Sequence, residues 1–370
     1  MKERALLVVI EFDRRHGGSE DGPAWRLEDE QAELVELAGS AGCRIVGEVL
    51  ARRHTPVAGT LIGSGKLEEI AQAARDSQAQ VVVLNQELSS SQQRNVEDLL
   101  NVKTIDRTQL ILDIFAQRAR SQEGKVQVEL AQLRYLMPRL VGKGVMLSRL
   151  GGGIGTRGPG EQKLEIDRRR VRRRIDKLND ELEKLTQRRE ATRQRRREAR
   201  MPTVALIGYT NAGKTTLLNR LTGAGSAVEN RLFTTLDPLA RRLRLPHGEH
   251  VILTDTVGFL HRLPHHLIEA FKATLEEAQD AELLLHVVDA SHPLAVEHAE
   301  AVHEVLNLLQ IDRTPLLTVL NKIDRLAEAK QPASIPGLQG DAVAISALTG
   351  QGLEQLLQII EDRVRLARSE

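Results

Sequence analysis

The first third of the chain alternates short apolar runs with longer amphipathic stretches. The apolar runs, rich in β-branched residues as in buried strands, are residues 5–12 (ALLVVIEF), 45–49 and 81–84. The amphipathic stretches, with apolar residues at helical spacing, are residues 27–38, 67–74, 89–100 and 108–119. Strands that alternate with helices predict a small α/β domain with a mainly parallel sheet, which we place at residues 1–120.

Residues 121–200 change to a heptad pattern. Two series of apolar residues, spaced by three, four or seven positions, are Val126, Leu130, Leu133, Met137 and Leu140, and then Leu164, Val171, Ile175, Leu178, Leu182 and Leu185. This spacing predicts two long helices packed as an antiparallel hairpin. The segment 142–160 contains GGGIGTRGPGE and is too rich in glycine for a helix, so we expect it to form the tip of the hairpin.

The second helix of this hairpin is strongly basic. From Lys163 to Arg200 there are sixteen Lys or Arg residues and eight Asp or Glu residues. Such a run is often only a solvated helix face. Here it lies beside a tip that carries Lys143, Arg149 and Arg157, which favours binding to a phosphate backbone. Aromatic residues make up 2% of the chain, so we expect recognition of folded RNA by shape and backbone rather than by base stacking.

Residues 201–370 repeat the order strand, loop, helix. The apolar runs of this part are residues 204–207, 251–254, 283–288, 316–320 and 342–345, and residues 353–364 form a closing helix. The pattern predicts a second α/β domain, with a mainly parallel sheet and helices on both faces.

The first loop of this second domain has the spacing of a phosphate-binding loop. Gly208 is followed by four residues and then by Gly213, Lys214 and Thr215, between a strand-like and a helical run. The backbone N–H groups of such a loop bind phosphate oxygens. Lys214 would reach the β- and γ-phosphates, and the Thr215 hydroxyl would ligate Mg²⁺. Residues 63–66 (GSGK) match this pattern only in part, so we expect a turn that caps a helix there rather than a second nucleotide site.

Later motifs complete a guanine nucleotide site. Asp255-Thr256-Val257-Gly258 suits a carboxylate that binds Mg²⁺ through water and a glycine N–H that binds the γ-phosphate. In Asn321-Lys322-Ile323-Asp324, the aspartate can accept two hydrogen bonds from guanine that adenine cannot donate. Asn321 would contact the other edge of the base, the Lys322 stem would cover its face, and Ser346-Ala347-Leu348 would supply an N–H to the guanine carbonyl. The motif residues expected to line the nucleotide are Gly208, Tyr209, Thr210, Asn211, Ala212, Gly213, Lys214, Thr215, Thr216, Asp255, Thr256, Val257, Gly258, Asn321, Lys322, Ile323, Asp324, Ser346, Ala347 and Leu348.

Composition adds few constraints. A net charge of +1 predicts no partner by itself, and a single cysteine, Cys43, excludes an intramolecular disulfide. The start of the chain lacks the apolar core of a signal peptide, and no apolar run approaches the ~18 residues of a membrane span. We therefore expect a cytoplasmic protein, and nothing in the sequence requires more than a monomer.

Together these motifs resemble the translation-factor-related GTPases. On that resemblance, Thr235 in Leu232-Phe233-Thr234-Thr235-Leu236-Asp237 is the first-switch residue that closes on Mg²⁺ and the γ-phosphate, with Thr234 as a competitor. The resemblance adds Phe233, Thr234, Thr235, Leu236 and Asp237 to the expected nucleotide site. The implied Mg²⁺ ligands are Thr215, Thr235 and, through water, Asp255, and the residues expected to act in hydrolysis are Lys214, Thr235 and Gly258.

A closer resemblance covers nearly the whole chain. The N-terminal α/β domain, the basic hairpin with GGGIGTRGPGE, and the segments GYTNAGKTTLLN, LFTTLDP, DTVGFL and LPHHLIEAFKATLEE resemble the HflX family of GTPases. The resemblance implies a protein that binds GTP and GDP and hydrolyses GTP. It further implies binding to the large (50S) ribosomal subunit and its rRNA, with action on stalled or stressed ribosomes or in ribosome biogenesis.

Phe259 stands where many GTPases have a glutamine that orients the attacking water. Either hydrolysis is slow until a partner orders the site, or another group positions the water. A third possibility is that Phe259 only packs beneath the second switch, the segment around Gly258 that responds to the γ-phosphate. The segment from Pro264 to Glu277 follows this switch, so its placement can report the nucleotide state. His261, His265 and His266 lie nearby, and exposed loop histidines are a commoner outcome than a metal site.

Two rival functions stay open. One is a nucleotide-gated RNA-binding protein with negligible catalysis. The other is an ATP-using RNA remodeller that acts through residues 63–66.

Overall fold

The computed structural model describes residues 2–12, 25–140, 159–198, 201–224, 232–233, 236–262, 264, 267, 272–311, 314–326 and 341–369. Predicted features outside these residues are most of the hairpin tip, with Lys143, Arg149 and Arg157, and also Thr234, Thr235, His265 and His266. Internal contacts divide the chain into two compact units, one of Met1–Gln117 and Lys125–Leu182, the other of Arg118–Gly124 and Glu183–Glu370. The predicted domain boundaries near residues 120 and 200 stay a prediction.

The first unit contains a four-stranded parallel sheet in the order β2-β1-β3-β4. Its strands are β1 (Arg4–Phe12), β2 (Arg44–Arg53), β3 (Val81–Leu84) and β4 (Lys103–Asp106), and the helices that alternate with them are α1 (Leu27–Ser40), α2 (Ser64–Asp76), α3 (Ser90–Leu100) and α4 (Arg107–Arg118). Residues 5–10 of β1 are almost completely buried, which explains why this segment is a continuous apolar run. The predicted α/β class is confirmed.

One side chain, that of Asn85, bridges the carboxyl ends of β1 and β3. The strand order reverses between these two strands, which is where open α/β sheets bind ligands. Asn85 accepts a hydrogen bond from Ile10 N at 2.8 Å and donates one to Ile10 O at 3.1 Å.

Residues 63–66 follow β2 and include the first residues of α2. Gly63 is the N-cap of α2, and Lys66 forms an ion pair with Glu69 at 2.7 Å. Both observations favour a structural turn at residues 63–66.

Two helices follow the first sheet. They are α5 (Gln122–Leu136) and α6 (Pro159–Glu198). The prediction of one helix through Leu140 is wrong, because α5 ends at Leu136 and residues Met137–Leu140 form a 3₁₀ turn. Pro138 has no N–H for the next α-helical hydrogen bond, so the α-helix cannot continue through it unbroken. The heptad residue Leu178 of α6 is buried, whereas the arginines at 172 and 173 are exposed.

Arg139 attaches the end of α5 to the sheet. Its guanidinium donates to Gln93 Oε1 at 2.8 Å, Tyr135 O at 2.9 Å, Leu88 O at 2.6 Å and Asp106 Oδ2 at 3.3 Å. It also lies 3.4 Å from the centroid of the Tyr135 ring, at cation–π distance. Asp106 is fully buried, and the guanidinium of Arg139 is its ion-pair partner, so this contact fixes the end of α5 to β4.

The second unit contains a six-stranded sheet in the order β10-β9-β8-β5-β7-β6. Its strands are β5 (Thr203–Ile207), β6 (Leu239–Arg244), β7 (His250–Asp255), β8 (Leu283–Asp289), β9 (Leu316–Asn321) and β10 (Ala342–Ala344), and its helices are α7 (Lys214–Thr222), α8 (Lys272–Gln279), α9 (Ala295–Leu308) and α10 (Leu353–Ser369). The pairs are parallel except that β6 runs antiparallel to β7. Throughout the described part of the chain, no helix has both the length and the apolarity needed to cross a membrane.

The edge strand β6 was not predicted. Its sequence LARRLR buries Leu243 while Arg241 and Arg242 are exposed. A charged edge strand of this kind protects a sheet from pairing with other chains, but it lacks the continuous apolar run by which the other strands were recognised.

Candidate functional site

Residues 208–213 form a loop between β5 and α7, as predicted. The loop starts at Gly208, where an added Cβ would lie 2.2 Å from Val287 O of the neighbouring strand β8. No side chain fits at that distance, so the backbone can pass close to the sheet only with glycine there. The loop ends at Lys214, the first residue of α7, and the free N–H groups of the helix begin at this point.

Lys214 is folded onto this loop. Its Nζ donates to Gly208 O at 2.9 Å and to Tyr209 O at 2.8 Å, and the residue is 6% exposed. Burial lowers the pKa of Lys214 to about 8, although the nearby Asp255 acts in the opposite direction. An anion bound in the loop would favour the charged ammonium and raise this pKa again.

Thr215 and Asp255 meet directly beside Lys214. Thr215 Oγ1 donates to Asp255 Oδ2 at 2.7 Å, and Asp255, at the end of β7, is fully buried. A hydroxyl and a carboxylate are hard oxygen donors of the kind that Mg²⁺ prefers, so these two residues fit that ion. The hydroxyl of the next residue, Thr256, has a structural role, because it donates a hydrogen bond to Leu206 O of β5 at 2.6 Å.

The segment after Asp255 is bound to the loop through its backbone. Phe259 N donates to Gly208 O at 3.1 Å, and Phe259 O accepts from Thr210 N at 2.8 Å. The intervening Gly258 lies so close that an added Cβ would be 2.8 Å from Thr210 Cα. The Phe259 side chain is 1% exposed, which agrees with the packing interpretation. A buried phenyl ring offers no hydrogen bond to a water molecule.

Tyr209 connects the loop to two other segments. Its ring stacks on His298 of α9 with centroids 3.8 Å apart and planes 4° from parallel, and its hydroxyl accepts from His261 N at 2.9 Å. Burial lowers the pKa of His298 to about 3, so its imidazole is neutral at physiological pH. Sequence reasoning missed His298. Within the described residues, no group of three or more His, Cys, Asp or Glu side chains is arranged to hold a metal ion.

The later motif residues lie at the ends of β9 and β10. Asn321 Nδ2 donates to Ala212 O at 2.9 Å, and Asn321 Oδ1 accepts from Ala347 N at 3.0 Å, so this side chain joins the phosphate loop to the last motif. Asp324 is exposed and accepts from the buried Ser346 Oγ at 2.5 Å. The expected contacts of Asn321 and Asp324 with a base stay predictions.

Asp289, at the end of β8, was also missed. Lys322 Nζ donates to Asp289 Oδ2 and to Asn211 O, at 2.6 Å in each case. Burial acts to raise the pKa of Asp289, but hydrogen bonds from Lys322 and Ser291 hold that pKa below its ordinary value. The sequence could have indicated Asp289 as a site residue, because it follows an apolar, strand-like run just as Asp255 does.

The remaining predicted residues occupy varied positions. Phe233, Leu236, Val257, Ile323 and Ala347 are buried, Thr216 is partly buried, and Leu348 is 71% exposed. The Asp237 carboxylate accepts from Arg120 N at 2.8 Å and from Ser121 N at 2.7 Å, and thus binds the segment before α5. Its expected role at the nucleotide stays a prediction.

Comparison with known proteins agrees with this arrangement. Three family models match the chain: "GTP-binding GTPase N-terminal" at residues 28–116, "GTP-binding GTPase Middle Region" at residues 118–196 and "50S ribosome-binding GTPase" at residues 203–322. A solved structure of SsGBP in complex with GDP is 26% identical, with a TM-score of 0.51, and the similarity covers 99% of this chain and all of that one.

Two bacterial proteins are much more similar in sequence. GTPase HflX of Caldanaerobacter subterraneus subsp. tengcongensis is 51% identical over 97% of this chain and 80% of its own length. GTPase HflX of Escherichia coli (strain K12) is 46% identical over 98% of this chain and 83% of its own length. The resemblance inferred from the motifs is therefore confirmed, and the chain belongs to the HflX family of GTPases.

Proposed function

We propose that this chain hydrolyses GTP with the help of Mg²⁺, and that its nucleotide state controls binding to the rRNA of the large ribosomal subunit. The observation that carries the proposal is the assembly of Lys214, Thr215 and Asp255 at the carboxyl ends of β5 and β7, with Asn321 bound to the same loop. The similarity of residues 203–322 to 50S ribosome-binding GTPases supports the ribosomal target.

Each residue has a defined task in this proposal. Mg²⁺, when bound, neutralises charge on the β- and γ-phosphate oxygens, and Thr215, Asp255 and Thr235 are the residues that would hold it. Lys214 exchanges its carbonyl partners for phosphate oxygens, and the Gly258 N–H binds the γ-phosphate. Asp324 accepts hydrogen bonds from guanine, which gives selectivity over adenine.

The Asp237 contact supports transmission of the nucleotide state to the hairpin. Asp237 comes two residues after Thr235 and binds the amides of Arg120 and Ser121 and also the Ser121 hydroxyl. These residues directly precede α5, so a displacement of the first switch would displace the start of that helix through the hydrogen bonds of Asp237. Hydrogen bonds to a charged acceptor are strong enough to transmit such a displacement.

A cluster of ion pairs supports the same idea for the second switch. Arg189 of α6 binds Glu123 and Glu276, and Arg193 binds Glu277 at 3.3 Å and Asp280 at 3.1 Å. We call these six residues the Arg193 cluster. It joins the end of α6 to α8, and most of α8 belongs to the segment from Pro264 to Glu277 that follows the second switch.

The exposed face of α6 supports RNA binding. Arg172 and Arg173 are exposed, and neither forms an ion pair within the described residues. Arg174 differs, because Glu129 of α5 accepts two hydrogen bonds from its guanidinium, both at 2.6 Å. The first two arginines are therefore available for phosphate contacts, whereas the third connects the two helices.

In this proposal the chain acts as a monomer with three parts. Residues 1–120 form the N-terminal domain, residues 121–200 the RNA-binding hairpin and residues 201–370 the GTP-binding domain. Binding to stalled or stressed ribosomes, or to ribosomes in assembly, would occur in the cytoplasm, where ribosomes are found.

Turnover and sedimentation test the proposed function. We expect slow phosphate release from GTP alone, stimulation by large subunits of at least about tenfold, and little release from ATP. Co-sedimentation with large subunits should be stronger with a GTP analogue than with GDP. Equal turnover with and without subunits contradicts the stimulation. GTP-dependent sedimentation without turnover favours the nucleotide-gated binder, and preferred turnover of ATP favours the remodeller.

The pKa of Lys214 predicts that GDP affinity falls as pH rises through about 8. Bound phosphates raise this pKa, so binding takes up a proton above pH 8, and affinity should be about tenfold lower at pH 9 than at pH 7. Calorimetry in buffers of different ionisation enthalpy measures both effects. Lys214→Arg stays charged and serves as the control for other titrating groups. A wild-type pH dependence no steeper than that of the variant refutes the prediction.

Asp237→Asn should weaken the coupling between nucleotide and ribosome. Asparagine is uncharged and has one acceptor oxygen where aspartate has two. The affinity for the large subunit with a GTP analogue, divided by the affinity with GDP, should therefore fall by about tenfold. Equilibrium sedimentation in both nucleotide states gives this ratio. The exposed Glu304→Gln in α9 removes one acid elsewhere and should keep it. A ratio that Asp237→Asn leaves unchanged would show that this contact transmits nothing.

Arg172→Glu combined with Arg173→Glu should reduce affinity for the large subunit and flatten its salt dependence. Each lost phosphate contact lowers the slope of log affinity against log salt by about 0.9. Arg75→Glu reverses an exposed charge on α2 and is the matched control. If the double variant binds like wild type across the salt series, these arginines are only a solvated helix face.

A further inference from the structure

The phosphate loop contains a buried hydroxyl that the roles above do not use. Thr210 is 6% exposed, and its Oγ1 has no hydrogen-bond partner among the described residues. Its backbone N–H is already bonded to Phe259 O. A buried hydroxyl without a partner destabilises the fold, because it loses its hydrogen bonds to water, and such groups are few in native proteins. Valine has nearly the same shape and would avoid this penalty, so packing alone does not explain the hydroxyl.

The position of Thr210 relates it to the γ-phosphate end of the loop. An added Cβ on Gly258 would lie 2.8 Å from both Thr210 Cα and Thr210 Cγ2, so the two residues are in direct contact. The Gly258 N–H is the proposed γ-phosphate ligand. The carbonyls that hold Lys214 Nζ belong to Gly208 and Tyr209, the two residues that precede Thr210. Thr210 thus contacts, through its Cα and Cγ2, the glycine that would bind the γ-phosphate, and it directly follows the two residues whose carbonyls hold the lysine.

Among the described residues, the position of the usual glutamine offers no group that could orient water for hydrolysis. Phe259 occupies the position of the usual glutamine, and its buried side chain has no polar atom. Hydrolysis forms a bond between a water oxygen and the γ-phosphorus. The bond from that phosphorus to the bridging oxygen breaks, and its electron pair stays on GDP. The water protons pass to the phosphate product and to solvent. A neighbouring hydroxyl can accept a hydrogen bond from this water and can donate one to a γ-phosphate oxygen.

We propose that the Thr210 hydroxyl orients the attacking water in place of the missing glutamine. The proposal rests on the proposed GTPase function and adds a residue role to it. Burial suits this role, because a hydrogen bond made in a dry, preorganised site is stronger than one made in bulk water. The facing segment is held by the backbone hydrogen bonds of Phe259 and by the bond from His261 N to Tyr209 Oη. The proposal requires these bonds to rearrange when Gly258 binds a γ-phosphate, because the Thr210 hydroxyl is closed to solvent in this structure and a water molecule must reach it.

Three variants of the full chain test the proposal by single-turnover GTP hydrolysis and GDP binding. Thr210→Val should lower the rate of hydrolysis by about 10- to 100-fold, with GDP affinity changed by less than about threefold. Thr210→Ser restores the hydroxyl and should recover most of the rate. Thr222→Val removes a hydroxyl that bonds Leu218 O in α7, and should leave the rate unchanged.

Stability separates this role from a structural one. Thr210→Val removes an unpartnered buried hydroxyl, so it should unfold at the same or a higher temperature than wild type while it hydrolyses GTP more slowly. A Thr210→Val protein that hydrolyses GTP at the wild-type rate overturns the proposal and leaves the GTPase function intact. A parallel loss of rate and GDP affinity overturns it too, in favour of a role in binding. A wild-type protein that binds GTP but does not hydrolyse it overturns both this inference and the proposed function.

Discussion

The close approach of two backbone segments is the constraint on which the candidate nucleotide site depends. Gly208 opens the phosphate loop and Gly258 lies in the segment after Asp255, and neither position has room for a side chain. Because neither glycine has a side chain, the backbone of Phe259 comes close enough to form hydrogen bonds with the backbones of both Gly208 and Thr210. The segment that would hold the β-phosphate and the segment that would respond to the γ-phosphate are thereby in contact. Loss or gain of one phosphate can act on both at once.

Much of this site could be predicted because the carboxyl ends of parallel strands meet at one edge of a sheet. The phosphate loop, Asp255 and Asn321 were predicted from spacing and from their position after apolar runs, and the structure brings them together. Asp289 obeys the same rule, but it belongs to no short motif and was passed over. Asn85 could not have been found, because its role depends on which strand lies beside β3. The end of α5 was predictable in principle, since Pro138 interrupts the heptad pattern.

The environments of individual arginines could not be predicted from the sequence. Arg139 is bound to a buried carboxylate, Arg174 joins two helices through Glu129, and Arg172 and Arg173 are exposed. In the sequence, the last three are consecutive letters of one basic run. Their different environments arise from the helical period and from the acids that tertiary structure places opposite them. Counting charges therefore predicts that the helix is basic, but it does not identify which guanidinium groups remain available to a partner.

The burial of the Arg193 cluster has a consequence for how the protein behaves in different salt concentrations. The side chains of Arg189 and Arg193 are 14% and 9% exposed, and the side chain of Glu277 is 8% exposed. Mobile ions screen exposed charges over about 8 Å in physiological salt, whereas partly buried ion pairs such as these are screened much less. Exposed arginines on the same helix have no such protection. In the proposed complex with RNA, a rise in ionic strength would therefore weaken the contacts of the exposed arginines more than the connection between α6 and α8, and a molecule released in this way would keep that connection.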